Sequence, residues 1–246
     1  MSKFAVDMWE TMQGIVLNVL RYSDKNSIAH MLTRQRGRMA FLVPQGSTKG
    51  ARMRNSMVMP LSVVEFEARI MPGRDLHSFK DCRRLDLLAG LYGDPVKSAV
   101  TMFVSEVLTH SIQESEQTEA LFEYVRRSIG VLDMMESGAA NFHICFLYHL
   151  GAFLGIQPDV ETWQDGYWFD MQNGVFTPSR PLFHALAPAE ARVVALISRM
   201  TFKNLHLFRF SRADRNRILD IILSYLRIHN SSLGTLRSLE VLRALF

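Results

Sequence analysis

Thirty residues, Lys25 to Arg54, hold seven cationic side chains and no carboxylate: Lys25, Arg34, Arg36, Arg38, Lys49, Arg52 and Arg54. The next carboxylate is Glu65. Folded surfaces ordinarily mix signs, and like charges gathered without counter-charge repel one another. The stretch therefore points to a polyanionic partner. Arg34, Arg36 and Arg38 alternate around Gly37, and alternate strand positions project from one face. Lys49, Arg52 and Arg54 fall in a loop, free to follow a phosphate backbone. Phe41 is the single aromatic of the stretch, so base stacking is expected to add little. Phosphate contacts should dominate, with little sequence preference.

Other groupings carry less chemistry. His143, Cys145 and His149 have ligand types, but they sit in the most apolar segment and no second cysteine pair completes a tetrahedral site. Packing is the expected role, and no metal or cofactor is expected. Glu114, Glu116, Glu119 and Glu123 read as a solvated loop and helix start, where carboxylates favour the helix dipole. Trp163, Tyr167, Trp168 and Phe169 read as an aromatic patch closing an insert over the core. No phosphate loop ending in Lys-Ser/Thr, no G-x-S-x-G and no H-E-x-x-H occurs. No catalytic residue is expected, and the chain does not read as an enzyme.

The 246 residues carry a net charge of +4, unevenly placed. Residues 1–80 hold twelve Lys/Arg against six Asp/Glu, and residues 81–246 hold sixteen against eighteen. The basic excess belongs to the N-terminal third. Two cysteines, Cys82 and Cys145, do not make a disulfide framework and suit a reducing compartment. MSKFAVDMWE lacks an apolar core, so no signal peptide is expected. The longest apolar run, FHICFLYHLGAFLGI, is shorter than the roughly 20 residues of a membrane span. No membrane association is expected, and the location reads as cytoplasmic.

The elements that must position the cations follow from periodicity. GIVLNVLRY, SIAHMLT, RMAFLV, LSVVEFEARI and LHSFKDCRRL are short, rich in Val, Ile, Leu and Phe, and separated by turn residues. Gly37 supplies positive φ between the second and third. Five such strands in about eighty residues fit a small barrel of the oligonucleotide-binding (OB) type. Beyond residue 85 the period becomes helical. Val96, Val100, Phe103, Val104, Val107 and Ile112 share one face, with Asp94 as N-cap and Pro95 in the first turn. Leu121, Val125, Ile129 and Leu132 repeat the pattern. FHICFLYHLGAFLG is apolar on nearly all sides and reads as a buried central helix. Ser211 to Asp214 is a capping-box-like start for RNRILDIILSYLRI. The fold class is thus α+β. An OB-fold domain over residues 1–80, with 1–11 an extension, precedes a helical domain over 81–246 carrying an extended insert at 158–185.

The order of motifs resembles one family. GIVLNVLRYSDKNSIAHMLTRQRGRMAFLVPQGSTKGARMR, then PLSVVEFE, LYGDPVKSAVTMFVSEVLTHSI, FLGIQPDV and SLGTLRSLEVLRALF, is similar to RecO, the bacterial recombination mediator, over nearly the whole chain after Met12. The resemblance implies binding of single- and double-stranded DNA, annealing of complementary strands, and work with RecR and the C-terminal tail of single-strand-binding protein. Recombinase is thereby loaded onto coated gaps, in a nucleoid-associated setting. Many relatives carry a four-cysteine zinc module after the FLGIQPDV-like segment; DVETWQDGYWFDMQNGVFT stands there instead. Asn141-Phe142-His143 stands where relatives often place a basic residue. The tail is acidic and ends in an aromatic residue, so its receptor should join an apolar pocket to cations. Arg199, Lys203, Arg209 and Arg212 are the candidates. Two other readings stay open: an RNA-binding OB module, and a non-enzymatic scaffold for acidic partners.

Overall fold

The structure, a computed structural model, describes residues 9–46, 56–71, 73–112 and 119–245. Five strands form where the alternating apolar segments predict them: β1 Trp9–Arg21, β2 Asn26–Thr33, β3 Gly37–Pro44, β4 Val63–Arg69 and β5 Leu76–Arg84. They close into a barrel in the order β1-β2-β3-β5-β4, with β4 also pairing β1 and with β3 and β5 parallel. This arrangement is OB-like. Met12, Met31, Phe41, Val64, Phe66 and Phe79 fill the interior. Phe41, Phe66 and Phe79 meet edge-on with centroids 5.0 to 6.0 Å apart, a geometry that ring quadrupoles favour.

The leading extension is shorter than the sequence suggests. Trp9, Glu10 and Thr11 belong to β1 and pair with Arg69, Ala68 and Glu67 of β4. A register shift between Val16 and Asn18 interrupts the pairing of β1 with β2. Such a bulge re-aims one side chain, and here Leu17 lies at 1 % exposure outside the barrel cluster. Its carbonyl accepts the Ser105 hydroxyl from the first long helix.

The helices are α1 Ala89–Gly93, α2 Pro95–Ser111, α3 Glu119–Met134, α4 Ala139–Phe153, α5 Pro188–Ile197, α6 Arg212–His229 and α7 Ser238–Leu245. Asp94 caps α2 by accepting from the Val96 and Lys97 N–H groups at 2.7 and 3.2 Å. Ser211 and Asp214 form the capping box of α6. α2 is buried well beyond its one predicted stripe, Lys97 included, whose ammonium donates to the Asp133 carbonyl at 2.8 Å.

Two compact units divide at residues 133 and 134. The strands end at Arg84, yet α1, α2 and nearly all of α3 belong to the barrel's unit. In the second unit α4 is buried along most of its length, as its all-round apolarity predicts. The insert at 158–185 contains a hairpin, β6 Trp168–Asp170 and β7 Val175–Thr177, with β8 Ala185–Leu186 on the other edge of β6. Phe169 and Phe176 bury with Ile221 and Tyr225 of α6, and Trp163 and Tyr167 pack at the margin. The aromatic patch does close the insert over a core; Trp168 instead faces the Arg180 guanidinium, 5.6 Å from its ring centroid. α5 and α7 have no counterpart among the predicted helices.

Candidate nucleic-acid interface

The β2–β3 turn is built by short-range polar contacts. Gly37 adopts φ +67°, the left-handed region that glycine enters without penalty. The Thr33 hydroxyl donates to the Gly37 carbonyl at 2.7 Å and accepts from the Arg36 N–H at 3.1 Å. The Arg34 N–H reaches back to the Gln13 carbonyl at 2.9 Å. Arg34, Gln35 and Arg36 are turn residues, so the alternation expected of a strand does not extend through them.

Each arginine of this group has a partner from elsewhere in the chain. Arg34 donates through Nε to Glu119 Oε1 at 2.9 Å, and its Nη2 lies 2.7 Å from that oxygen and 3.4 Å from Glu123 Oε1. Arg36 holds Glu10 with two parallel bonds, Nε to Oε1 at 2.6 Å and Nη2 to Oε2 at 3.0 Å. The Glu10 hydrogen bond raises the Arg36 pKa above its ordinary value. Arg38 Nη1 donates to the Thr109 and Ile112 carbonyls at 2.8 and 2.9 Å. There it satisfies backbone acceptors left over at the end of α2, which a cation does well. The premise that these charges lack partners is therefore corrected for all three arginines. Their partners are remote in sequence and were invisible to local spacing. Nearby, burial first and the Arg36 charge second hold His77 below its ordinary pKa.

Lys25 stands apart. It is exposed in the β1–β2 turn, and among the described residues it has no ion pair. β2 separates it from Arg34 with eight residues, about 25 Å of strand. The two groups therefore occupy opposite rims of the barrel. Lys49, Arg52 and Arg54 lie outside the described residues. The chain leaves β3 toward them at the Lys25 rim, where the Gln45 N–H donates to the Lys25 carbonyl at 2.7 Å.

Between the rims, the register aligns Leu20, Ile28, Leu42 and Ser78 across the sheet, and next to them Asn18, His30, Ala40 and Leu76. None of these carries a carboxylate, an ammonium or a guanidinium. His30 Nδ1 and Asn18 Oδ1 lie 2.7 Å apart. Phe41 is fully buried inside the barrel, so it offers no ring to a base. Tyr22 does: it is 67 % exposed beside Lys25. Sequence reading passed over it because it precedes the acid-free interval, although an aromatic inside a Ser-Asp-Lys turn is a usable signal.

In the second unit Arg199, Lys203 and Arg209 are exposed on the connector between α5 and α6, and Arg212 is exposed at the start of α6. Arg212 Nη2 donates to the Arg243 carbonyl at 2.6 Å. The connector is tied to α4. Asn141 Nδ2 donates to the Leu205 and Phe208 carbonyls at 3.1 and 2.7 Å, and His149 Nε2 lies 2.7 Å from the Met200 oxygen. The Phe142 and Phe202 rings stack with centroids 5.0 Å apart. Leu207 projects from this connector at 68 % exposure. His143 is buried, which pushes its pKa down to about 3, and burial pushes the Cys145 thiol up to about 12. Among the described residues no group of three His, Cys, Asp or Glu could hold a metal ion. No helix among them is long and apolar enough to cross a membrane.

Comparison with known proteins gives a consistent family. A family profile described as Recombination protein O N terminal matches residues 8–87, and one described as Recombination protein O C terminal matches residues 92–162. A DNA repair protein RecO of Phocaeicola vulgatus is 38 % identical over 234 residues, covering 95 % of this chain and 97 % of that protein. One from Bacteroides fragilis is 38 % identical over 235 residues, with the same coverage. One from Porphyromonas gingivalis is 33 % identical over 239 residues, covering 95 % of this chain and 98 % of its own length.

Proposed function

This chain belongs to the RecO family, and on that footing we propose that it is a non-enzymatic mediator of DNA repair and recombination. It binds single- and double-stranded DNA through phosphates, without reading sequence, and anneals complementary strands. With RecR and the acidic C-terminal tail of single-strand-binding protein it promotes recombinase loading, in the cytoplasm at the nucleoid. The observation that carries the reading is a closed OB-like barrel, in a chain of this family, with cationic turns at both ends of β2.

Annealing needs no catalytic group. Two strands repel through their phosphates, and cations that neutralise part of each lower the cost of encounter. Lys25, Lys49, Arg52 and Arg54 are the cations assigned first contact, and Tyr22 offers a face on which a base can stack. Arg34 and Arg36 join by exchanging carboxylate for phosphate. Arg38 positions the turn from within. In the second unit, Arg199, Lys203 and Arg209 around Leu207 make the receptor proposed for the acidic tail, with Arg212 at its margin.

Binding of a labelled oligonucleotide and strand annealing, with bare and with coated strands, test this across a salt series. Engagement of phosphates by these four first-contact cations predicts a slope of log K against log salt of about −3 on single strands. A slope near zero overturns the interface. Stronger competition by RNA than by DNA favours an RNA-binding module, and salt-sensitive binding of an acidic polypeptide that oligonucleotide does not displace favours a scaffold.

A further inference from the structure

The partners of Arg34 and Arg36 have a consequence for how the barrel meets a polyanion. We propose that Glu10, Glu119 and Glu123 act as internal stand-ins for phosphate, keeping both turn arginines occupied until a polyanion displaces them and so setting the strength of binding. This rests on the DNA-binding reading above and adds the residues that regulate that same surface.

The geometry suits displacement. The Arg34 and Arg36 side chains are 38 % and 45 % exposed, so a ligand can reach them without unfolding anything. Glu10 presents two oxygens to Arg36 in the planar, paired arrangement that a phosphate also offers. Glu119 and Glu123 are one helical turn apart on α3 and converge on one guanidinium. Ion pairs this exposed are weak, each holding its arginine closed by a factor of about two to five. A turn that is competent only when open binds with its intrinsic affinity multiplied by the open fraction. Two latches together thus weaken binding by about four- to twenty-five-fold.

Salt dependence separates this from a simple gain of positive charge. An arginine that leaves a carboxylate for a phosphate releases a counterion at the DNA, but the bared carboxylate takes one up. The latched arginines therefore add little to the salt slope. Once the carboxylates are gone, each arginine steepens it by about 0.7 on single strands.

The test uses the full chain and a fluorescent single-stranded oligonucleotide, comparing Glu10→Gln/Glu119→Gln/Glu123→Gln with Glu136→Gln/Asp165→Asn/Glu240→Gln. The second set changes net charge equally at exposed carboxylates outside the latches. Thermal melting verifies each fold, and Glu119→Gln/Glu123→Gln alone leaves β1 untouched. The latch variant should bind about four- to twenty-five-fold tighter at low salt, with a slope steeper by about 1.4; the control should stay within about twofold. Arg34→Gln/Arg36→Gln should then lower affinity more in the latch variant than in the wild type. Equal binding by the two triple variants, or equal losses in both backgrounds, overturns the inference and leaves the DNA reading standing. No binding by the wild type or any variant overturns both.

Discussion

At the scale of single residues, a basic side chain is defined by what it touches. Spacing groups Arg38 with Arg34 and Arg36, yet its guanidinium is engaged by two carbonyls at the end of α2. Arg38→Gln should lower the unfolding free energy of the N-terminal unit by about 1–3 kcal/mol, since charged hydrogen bonds to partly buried acceptors are lost. The salt slope of oligonucleotide binding should stay the same; urea titration and binding assays read the two effects separately. Tyr22 and Lys25 divide in the opposite sense. Tyr22→Ala should weaken binding by about 1–3 kcal/mol at unchanged salt slope, because stacking releases no counterions. Lys25→Gln should flatten the slope by about 0.7. His143 makes a pH prediction. Burial holds its folded pKa at about 3, below the ordinary value of 6.5. Between those values the unfolded chain binds the extra proton, so this histidine stabilises the fold fully above about pH 6.5. Its contribution falls by about 1.4 kcal/mol per pH unit as the solution is acidified toward pH 3. His143→Gln should remove that part of the pH dependence of denaturant midpoints.

Elements show which local signals suffice. The five strands, the Asp94 cap and the Ser211 box were all legible, because alternation and capping depend on neighbours two to four residues apart. α2 was legible as a helix but not as one buried on most sides, since the count of neighbours around a helix depends on packing. The connector after α5 shows a different gap. Asn141 clamps two connector carbonyls. Gly138, at φ +83°, lies so close to the connector that a Cβ there would collide with the Leu205 side chain and crowd His206. Asn141→Ala should destabilise the second unit by about 1–3 kcal/mol, as two carbonyls lose their donor. By loosening the loop bearing Arg199, Lys203 and Arg209 it should also weaken binding of an acidic peptide. Calorimetry with the wild type and the variant checks both, and unchanged peptide affinity would detach those cations from the proposed receptor.

For the whole molecule, the reach between rims decides what a ligand must be. Lys25 and Arg34 lie about 25 Å apart along β2, with the uncharged rows Leu20-Ile28-Leu42-Ser78 and Asn18-His30-Ala40-Leu76 between. At 3.4 Å per nucleotide, about eight nucleotides span that distance. Affinity measured against oligonucleotide length at fixed salt should rise steeply up to about that length and slowly beyond it. A smooth rise with no break would mean that one rim acts alone. The sequence by itself determined the barrel, the helical second half, the family and the excess of positive charge, because period, turn chemistry and composition are properties of neighbours in the chain. Only the tertiary structure decided which of the described arginines already hold partners. Closing the barrel sends the two ends of β2 to opposite rims, and folding brings Glu10 and Glu119 to arginines 26 and 85 residues away. Contacts over such separations have no local spacing to betray them, so the cations that read as one patch become two rims, one of them already holding carboxylates.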